Sequence, residues 1–267
     1  MKPLFSSQKG GFFISVIQTT LWKVDFVGPG KEVRVQSRDI TALVAQEYAD
    51  TFDPDWFNPA CWQDDATPIS SGGRGSAWFL EYGEHDWVLR HYKRGGVVAR
   101  LVSSNYLYSG EGKSRPFREL RVLNELYASG FPVPKPIAAM LKRVGLVYTG
   151  AIIIERILNA SPMGDCLRHL DREVWQAVGR TVRSFHDAGI YHADLNCFNI
   201  LLRGEDVFLI DFDKALFYSG AKNCSSARWK VRNLERLKRS IHKVYSFDNN
   251  PDVAKGWAAL NSAYAKS

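Results

Sequence analysis

The segment Tyr191-His192-Ala193-Asp194-Leu195-Asn196-Cys197-Phe198-Asn199 leads into the apolar run Ile200 to Leu202. A polar turn, Arg203-Gly204-Glu205-Asp206, separates it from a second apolar run, Val207 to Ile210, and Asp211-Phe212-Asp213 follow at once. Two short apolar runs around a glycine-containing turn predict an antiparallel hairpin. Asn199 enters its first strand and Asp211 leaves its second, so pairing sets an amide oxygen beside a carboxylate. Two converging hard oxygens suit Mg²⁺, which takes few protein ligands and keeps its waters and any phosphates. Asp194, upstream on the same loop, is placed to take a proton from a hydroxyl in front of that metal.

Several elements must hold this constellation. Ala77 to Tyr82 and Trp87 to Tyr92 flank a turn at Gly83 to Asp86 and predict a hairpin. Phe117, Leu120, Leu123 and Leu126 fall at helical spacing in Pro116 to Ser129, closed by Gly130. Pro132, Pro134 and Pro136 bar any helix there. Leu146 to Tyr148 and Ala151 to Ile154 read as the two strands of a buried hairpin. Asp171 is placed to cap a helix running through His186, with Val174, Val178, Val182 and Phe185 as its apolar stripe and Gly189 as its stop. Phe52 to Pro59 reads as an irregular segment pinned by its aromatic rings. Strands first and helices afterwards predict an α+β chain of two lobes, residues 1–154 and 155–267.

Composition sets the outer limits. A chain of 267 residues with 45% hydrophobic content can bury a real core, which excludes a disordered or collagen-like polypeptide. Cys61, Cys166, Cys197 and Cys224 lie far apart, which excludes a disulfide scaffold and a zinc ribbon and predicts free thiols. No apolar run reaches the roughly 18 residues of a membrane helix, and Ser15, Gln18, Thr19 and Thr20 interrupt the best candidate near the start. A soluble intracellular chain is the expectation. The net charge of +7 is concentrated between Arg228 and Lys243, where seven Lys and Arg stand against Glu235 alone. Partners should therefore be anionic.

His192-x-Asp194-x-x-x-x-Asn199 followed by Asp211-Phe212-Asp213 resembles the catalytic loop and metal-binding motif of the protein-kinase-like fold. That resemblance implies a two-lobed fold, with a small β-rich lobe before a mainly helical one, and assigns upstream residues. Gly73 and Gly75 would bring backbone N–H groups to the phosphates, although Trp78 stands where the family has a third glycine. Arg90 occupies the place of the family's lysine, Lys93 having the opposite strand parity, and Glu119 would be its ion-pair partner. Backbone groups of Glu155 to Ile157 would face the adenine of ATP. His192 would brace the loop. With 56 residues after Asp211 and no Ala-Pro-Glu element, a small or lipid-linked acceptor is expected rather than a polypeptide.

Gly72-Gly73-Arg74-Gly75, Leu89-Arg90-His91-Tyr92-Lys93, Arg115-Pro116-Phe117-Arg118-Glu119, Glu155-Arg156-Ile157, Asp211-Phe212-Asp213-Lys214 and Trp229 through Leu237 together resemble the lipopolysaccharide kinase family, over about residues 70 to 245. The resemblance implies ATP- and Mg²⁺-dependent phosphorylation of the 4-hydroxyl of a 3-deoxy-D-manno-octulosonic acid (Kdo) unit on a lipid A precursor. The reaction would run at the cytoplasmic face of an inner membrane. Asp194 would be the base, Asn199 and Asp211 the metal ligands, and Arg90 with Glu119 the phosphate support. Arg228, Arg232, Arg236, Arg239 and Lys243 form one stripe on a helical wheel, opposite Leu234, Leu237, Ile241 and Val244. The stripe is expected at an anionic bilayer or a phosphorylated acceptor. Nucleic-acid binding would leave the metal constellation unused. A heptose kinase, an antibiotic phosphotransferase and a catalytically silent module that binds lipid or a partner remain the alternatives.

Overall fold

The computed structural model describes residues 23–26, 32–69, 77–92, 106–218 and 228–266. Gly73, Gly75 and Lys93 lie outside them. Nine strands form one antiparallel sheet among these residues: β1 (Lys23–Phe26), β2 (Glu32–Ser37), β3 (Ile40–Ala45), β4 (Ala66–Pro68), β5 (Ala77–Tyr82), β6 (His85–His91), β7 (Tyr106–Leu107), β8 (Pro136–Val144) and β9 (Val147–Glu155). Their order is β1-β2-β3-β8-β9-β6-β5-β4, with β7 pairing the start of β9.

Alternation along the strands gives this sheet two apolar faces. One carries Leu80, Trp87, Leu89, Ala138 and Ile153. It is roofed by Tyr48, Trp56, Phe57 and Trp62 from the segment of short 3-10 turns between β3 and β4. Tyr82 and Trp87 stack there at 4.3 Å, and the edges of Trp56 and Trp62 close around them. The other face carries Leu43, Ala139, Leu141 and Ile152, and it is covered by Phe117, Leu120 and Leu123 of α1 (Arg115–Ala128). Arg90 pairs with Ile152 across β6 and β9, so its side chain shares the face that meets α1.

The sequence misassigns one hairpin. Leu146 to Tyr148 and Ala151 to Ile154 are not partners: Leu146 lies with Gly145 in the turn after β8, and the rest belongs to the single strand β9, which pairs with β8. Gly150, which reads as a turn residue, lies inside the strand because α1 comes close: a Cβ there would sit 2.7 Å from Pro116 Cγ. Pro136 is tolerated at the start of β8 because the register shifts between Pro136 and Ala138.

The remainder is mainly helical: α2 (Met163–Cys166), α3 (Arg172–Asp187), α4 (Arg228–Val244) and α5 (Pro251–Lys266). Short strands sit between them: β10 (Ser161–Pro162), β11 (Ile190–Tyr191), β12 (Ile200–Arg203), β13 (Asp206–Leu209) and β14 (Leu216–Phe217). Asp171 precedes α3 with extended backbone, but its side chain makes no capping hydrogen bond. The apolar cluster beneath α1 continues into α3 and α5 without a break. Phe131 and Phe212 pack on either side of Phe185 at 4.8 and 5.8 Å, and Leu209 N–H donates to the Pro132 carbonyl. The sheet and the helices therefore share one core at the place where the candidate site lies.

The closest helix contact is between α3 and α5, where a Cβ on Gly179 would meet the Leu260 carbonyl oxygen at 2.3 Å. A backbone carbonyl cannot rotate away as a side chain can. Gly179→Ala is therefore expected to lower stability by about 1–3 kcal/mol despite the better helix propensity of alanine. Urea midpoints of the two proteins at equal m-value measure this, and an unchanged or raised midpoint contradicts the packing account.

Candidate active site

The β12–β13 hairpin forms as its pattern predicts, with Ile200 opposite Leu209 and Ile210 N–H bonded to the Asn199 carbonyl at 3.1 Å. Asn199 thus sits directly across from Ile210, one residue from Asp211. Asp211 has φ +70°, the left-handed region that a non-glycine residue occupies only where its surroundings enforce it. The Asp211 side chain is held by Arg90, whose Nη1 donates to Asp211 Oδ1 at 2.6 Å.

Arg90 makes a second ion pair, through Nη2, with Glu119 of α1. The Glu119 side chain is 1% exposed, and Tyr92 Oη donates to the same carboxylate oxygen. A fully buried carboxylate requires such partners. Burial would lower the Arg90 pKa, but the two carboxylates reverse this and raise it well above its ordinary value. Burial would likewise raise Asp211, yet the charge and hydrogen bond of Arg90 hold it below the usual carboxylate range. Tyr92 is pushed far up, by burial first and by Glu119 next.

A parallel pair backs this one. Arg115 joins Asp213, the second carboxylate of the Asp-Phe-Asp segment, which is 8% exposed. The Arg115 guanidinium lies over the rings of Tyr92 and Tyr106 at 5.4 and 5.2 Å and donates to Tyr106 Oη at 2.7 Å. Arg115, Asp213 and Tyr92 were not singled out as site residues from the sequence. Their signals were their places in the strings that carry the resemblance and the spacing of Arg115 and Glu119, four residues apart and so on one face of α1.

The loop from His192 to Asn199 is held from inside and from α4. His192 is buried; its Nε2 donates to the Ile210 carbonyl at 2.8 Å, and its Nδ1 accepts Asp194 N–H at 3.3 Å. Burial pushes this imidazole below its ordinary pKa, consistent with a neutral ring whose partners fix the tautomer. Asn196 and Asn199 both donate through Nδ2 to the Asp194 carbonyl at 2.9 Å, which leaves the Asn199 amide oxygen unbonded among the described residues. That oxygen and the ionised Asp211 have the chemistry of an Mg²⁺ ligand pair. Among the described residues, no group of three or more His, Cys, Asp or Glu could hold a metal, so phosphate and water would complete such a shell.

From α4, Asn233 Nδ2 donates to the His192 carbonyl at 2.7 Å, and Ser240 Oγ accepts Cys197 N–H at 3.0 Å. Between them Arg236 reaches Asp194 itself, with Nε at 3.1 Å and Nη2 on the same oxygen. All five cations of the basic stripe are exposed, and one of them also reaches the loop. Arg228, Arg232, Arg239 and Lys243 are exposed, Arg236 is on the loop, and Lys230 is buried against Asp187 at 2.9 Å. Asn233 and Ser240 carried a faint signal, as polar residues on an otherwise apolar helix face.

The expected adenine edge is narrower than the resemblance implied. Glu155 N–H is bonded to the Lys135 carbonyl and Arg156 N–H to the Asp86 carbonyl, so Ile157 alone of the three has an unbonded N–H among the described residues. The Arg156 guanidinium lies 3.7 Å over Phe79 and belongs to the sheet edge.

Residues 59–264 match the model of the "Lipopolysaccharide kinase (Kdo/WaaP) family". The chain is 41% identical over 214 residues to a 3-deoxy-D-manno-octulosonic acid kinase of Xanthomonas euvesicatoria pv. vesicatoria (strain 85-10), covering 79% of this chain and 84% of the relative. It is 41% identical over 210 residues to the protein of the same name from Xylella fastidiosa (strain M12), covering 78% and 82%. Among solved structures it resembles WaaP in complex with acyl carrier protein, with a TM-score of 0.50, 13% identity, and coverage of 84% of this chain and 96% of that one. The architecture is thus the two-lobed, mixed α+β protein-kinase-like fold.

A buried chain of hydrogen bonds supports the loop from behind, and it titrates. His186 accepts from Tyr264 Oη at 2.7 Å through Nδ1 and donates from Nε2 to Asn233 at 2.9 Å, while Asn233 holds the His192 carbonyl. Burial lowers His186 to about 4 against the hydrogen bond of Asn233, and burial pushes Tyr264 up to about 12. Since the unfolded histidine titrates near 6.5, the unfolded chain binds the extra proton between pH 6.5 and 4, and stability falls as pH falls through that window. Between pH 7.5 and 5 the loss from His186 alone is expected to be about 2 kcal/mol. Urea midpoints at the two pH values should show it, and His186→Gln should flatten the difference. An identical pH slope in the variant rejects the assignment.

Proposed function

Because the chain belongs to the lipopolysaccharide kinase (Kdo/WaaP) family, we propose that it transfers the γ-phosphoryl group of ATP to the 4-hydroxyl of Kdo on a lipid A precursor such as Kdo-lipid IVA, during assembly of the lipopolysaccharide core. The observation that carries this reading is Asp194, presented on a loop clamped on both sides, next to the Arg90-bound Asp211. That arrangement offers a base and a phosphate-binding centre in one place.

Asp194 accepts the proton of the acceptor hydroxyl as its oxygen attacks the γ-phosphorus. The bond from that phosphorus to the bridging oxygen breaks, and ADP leaves with the electron pair. Asp211 and Asn199 are the residues that would hold Mg²⁺, whose part is to neutralise charge on the phosphates. Arg90 commits Nη1 and Nη2 to Asp211 and Glu119 and offers its remaining N–H groups to the α and β phosphates, a fork in place of the usual lysine. Gly73 and Gly75, outside the described residues, would supply backbone donors, and Glu155 to Ile157 would face the adenine where the nucleotide-binding lobe, residues 1–154, meets the catalytic lobe, residues 155–267.

No helix of the described residues is long and apolar enough to cross a membrane. The lipid acceptor would be met at the cytoplasmic face of the inner membrane by peripheral contact. Arg228, Arg232, Arg239 and Lys243 on α4 supply the charge for an anionic surface, at about 1 kcal/mol each near the bilayer.

The test is transfer of label from γ-labelled Mg-ATP to Kdo-lipid IVA. Asp194→Ala should lower turnover by about 10²–10⁴-fold with nucleotide binding kept, whereas Asp211→Asn should lose Mg²⁺-dependent nucleotide binding. Near-normal turnover in Asp194→Ala removes the base assignment. Nucleotide binding by the wild type with no label on the Kdo lipid removes the acceptor and keeps the kinase.

A further inference from the structure

The Arg236 to Asp194 contact has no role in the chemistry set out above. It places a cation on the very carboxylate that must receive the acceptor's proton. The placement is fixed by the helix rather than by the arginine alone. Asn233, one turn before Arg236, holds the carbonyl two residues before Asp194, and Ser240, one turn after it, holds the N–H three residues beyond. Leu237, fully buried, anchors the same turn of α4 in the core. Wherever the acceptor hydroxyl meets Asp194, a guanidinium is therefore held beside it.

Both partners are open to solvent, with side chains 47% and 42% exposed. An exposed ion pair contributes little, so this one does not lock the acid, and a better anion can take the arginine away. The other cation of α4 that meets a carboxylate from another element, Lys230 on Asp187, is 2% exposed and is structural by comparison. An acidic sugar brings such an anion with it. In an octulosonic acid the carboxylate is carried on ring carbon 2, close to the hydroxyl of ring carbon 4. A planar fork suits a carboxylate in two-point contact, which a lysine cannot supply.

We propose that Arg236 recognises the carboxylate of the acceptor sugar, and that its transfer from Asp194 to that carboxylate frees Asp194 to take the hydroxyl proton. This rests on the acid-sugar kinase reading above. The acceptor thereby completes the base that acts on it, and neutral sugars, which offer Arg236 nothing in exchange, are poor substrates. No covalent step is added to the transfer. The arginine exchanges one carboxylate for another, and the proton passes from the hydroxyl to Asp194 as before.

The experiment compares wild type, Arg236→Gln and Arg236→Lys on three acceptors: Kdo-lipid IVA, the same lipid with the Kdo carboxyl as its methyl ester, and the same lipid with its lipid A phosphates removed. Arg236→Gln should lose on the order of tenfold to a hundredfold in kcat/KM on the acid, mostly through KM, and Arg236→Lys should recover part of it. Wild type should lose a similar factor when the acid is esterified, and Arg236→Gln should lose little further. Removing the lipid phosphates should leave the ratio between wild type and variant unchanged. Equal losses for Arg236→Gln on acid and ester overturn the proposal, and a deficit that vanishes with the phosphates moves the contact to the lipid and overturns the carboxylate assignment. If wild type labels none of these lipids, the acceptor reading itself fails and takes this inference with it. Wild-type transfer without coupling between Arg236 and the carboxyl leaves that reading standing and sinks the inference alone.

Discussion

Glu119 is a carboxylate on the buried face of α1, and the small lobe is organised around satisfying it. A charge at 1% exposure is tolerated only with partners on every side. Arg90 from β6 and the Tyr92 hydroxyl just beyond that strand are those partners. The fork of Arg90 then has a donor left for Asp211, so one side chain ties the sheet, the covering helix and the Asp-Phe-Asp segment into one geometry. Such a cluster is poor evidence for stability, since burying three charges costs about as much as pairing returns. Removing one member is another matter: an orphaned charge costs about 3–5 kcal/mol. The cluster's value is positional. It holds the carboxylate of Asp211, a residue whose backbone lies in the left-handed region.

A second set of bonds does for Asp194 what the first does for Asp211. The chain from Tyr264 through His186 and Asn233 to the His192 carbonyl runs across α5, α3 and α4 before it reaches the loop. His192 then passes the restraint to the Ile210 carbonyl, next to Asp211. The two carboxylates are thereby positioned by one connected framework, although one sits on a loop and the other at a strand end. Catalysis of phosphoryl transfer depends mainly on positioning and charge, so rigidity of this kind is where the fold can contribute.

Much of this was legible in the residues and some was not, for physical reasons. The Asp194, Asn199 and Asp211 spacing was readable because a hairpin with a two-residue turn converts sequence distance into spatial proximity. α1 and α3 were readable from their apolar period. The β8–β9 pairing was not, since Pro136 argues against a strand and Gly150 imitates a turn. Only the approach of Pro116 reveals why that glycine is there. The fate of the α4 cations was hidden for a different reason. A helical wheel ranks residues by angle, and Lys230 and Arg236 are assigned by what other elements bring to them, Asp187 from α3 and Asp194 from the loop.

The charges gathered at the site constrain how a nucleotide can enter. Among the described residues Glu119, Asp211, Asp213 and Asp194 stand against Arg90, Arg115 and Arg236, each arginine already paired. In the ion pairs among these residues four carboxylates share three guanidiniums, and Lys214 stands exposed beside Asp213. A further run of exposed cations among the described residues, Arg228, Arg232, Arg239 and Lys243, lies on α4. In the proposed reaction a polyphosphate donor would carry a divalent counter-ion, which would keep its approach to these carboxylates close to neutral. If Arg236 recognises the acceptor as proposed, the acceptor's carboxylate displaces it from Asp194. Both sides of the proposed reaction would then proceed by exchange of ion pairs, at a site where Asp194 and Arg236 remain open to solvent.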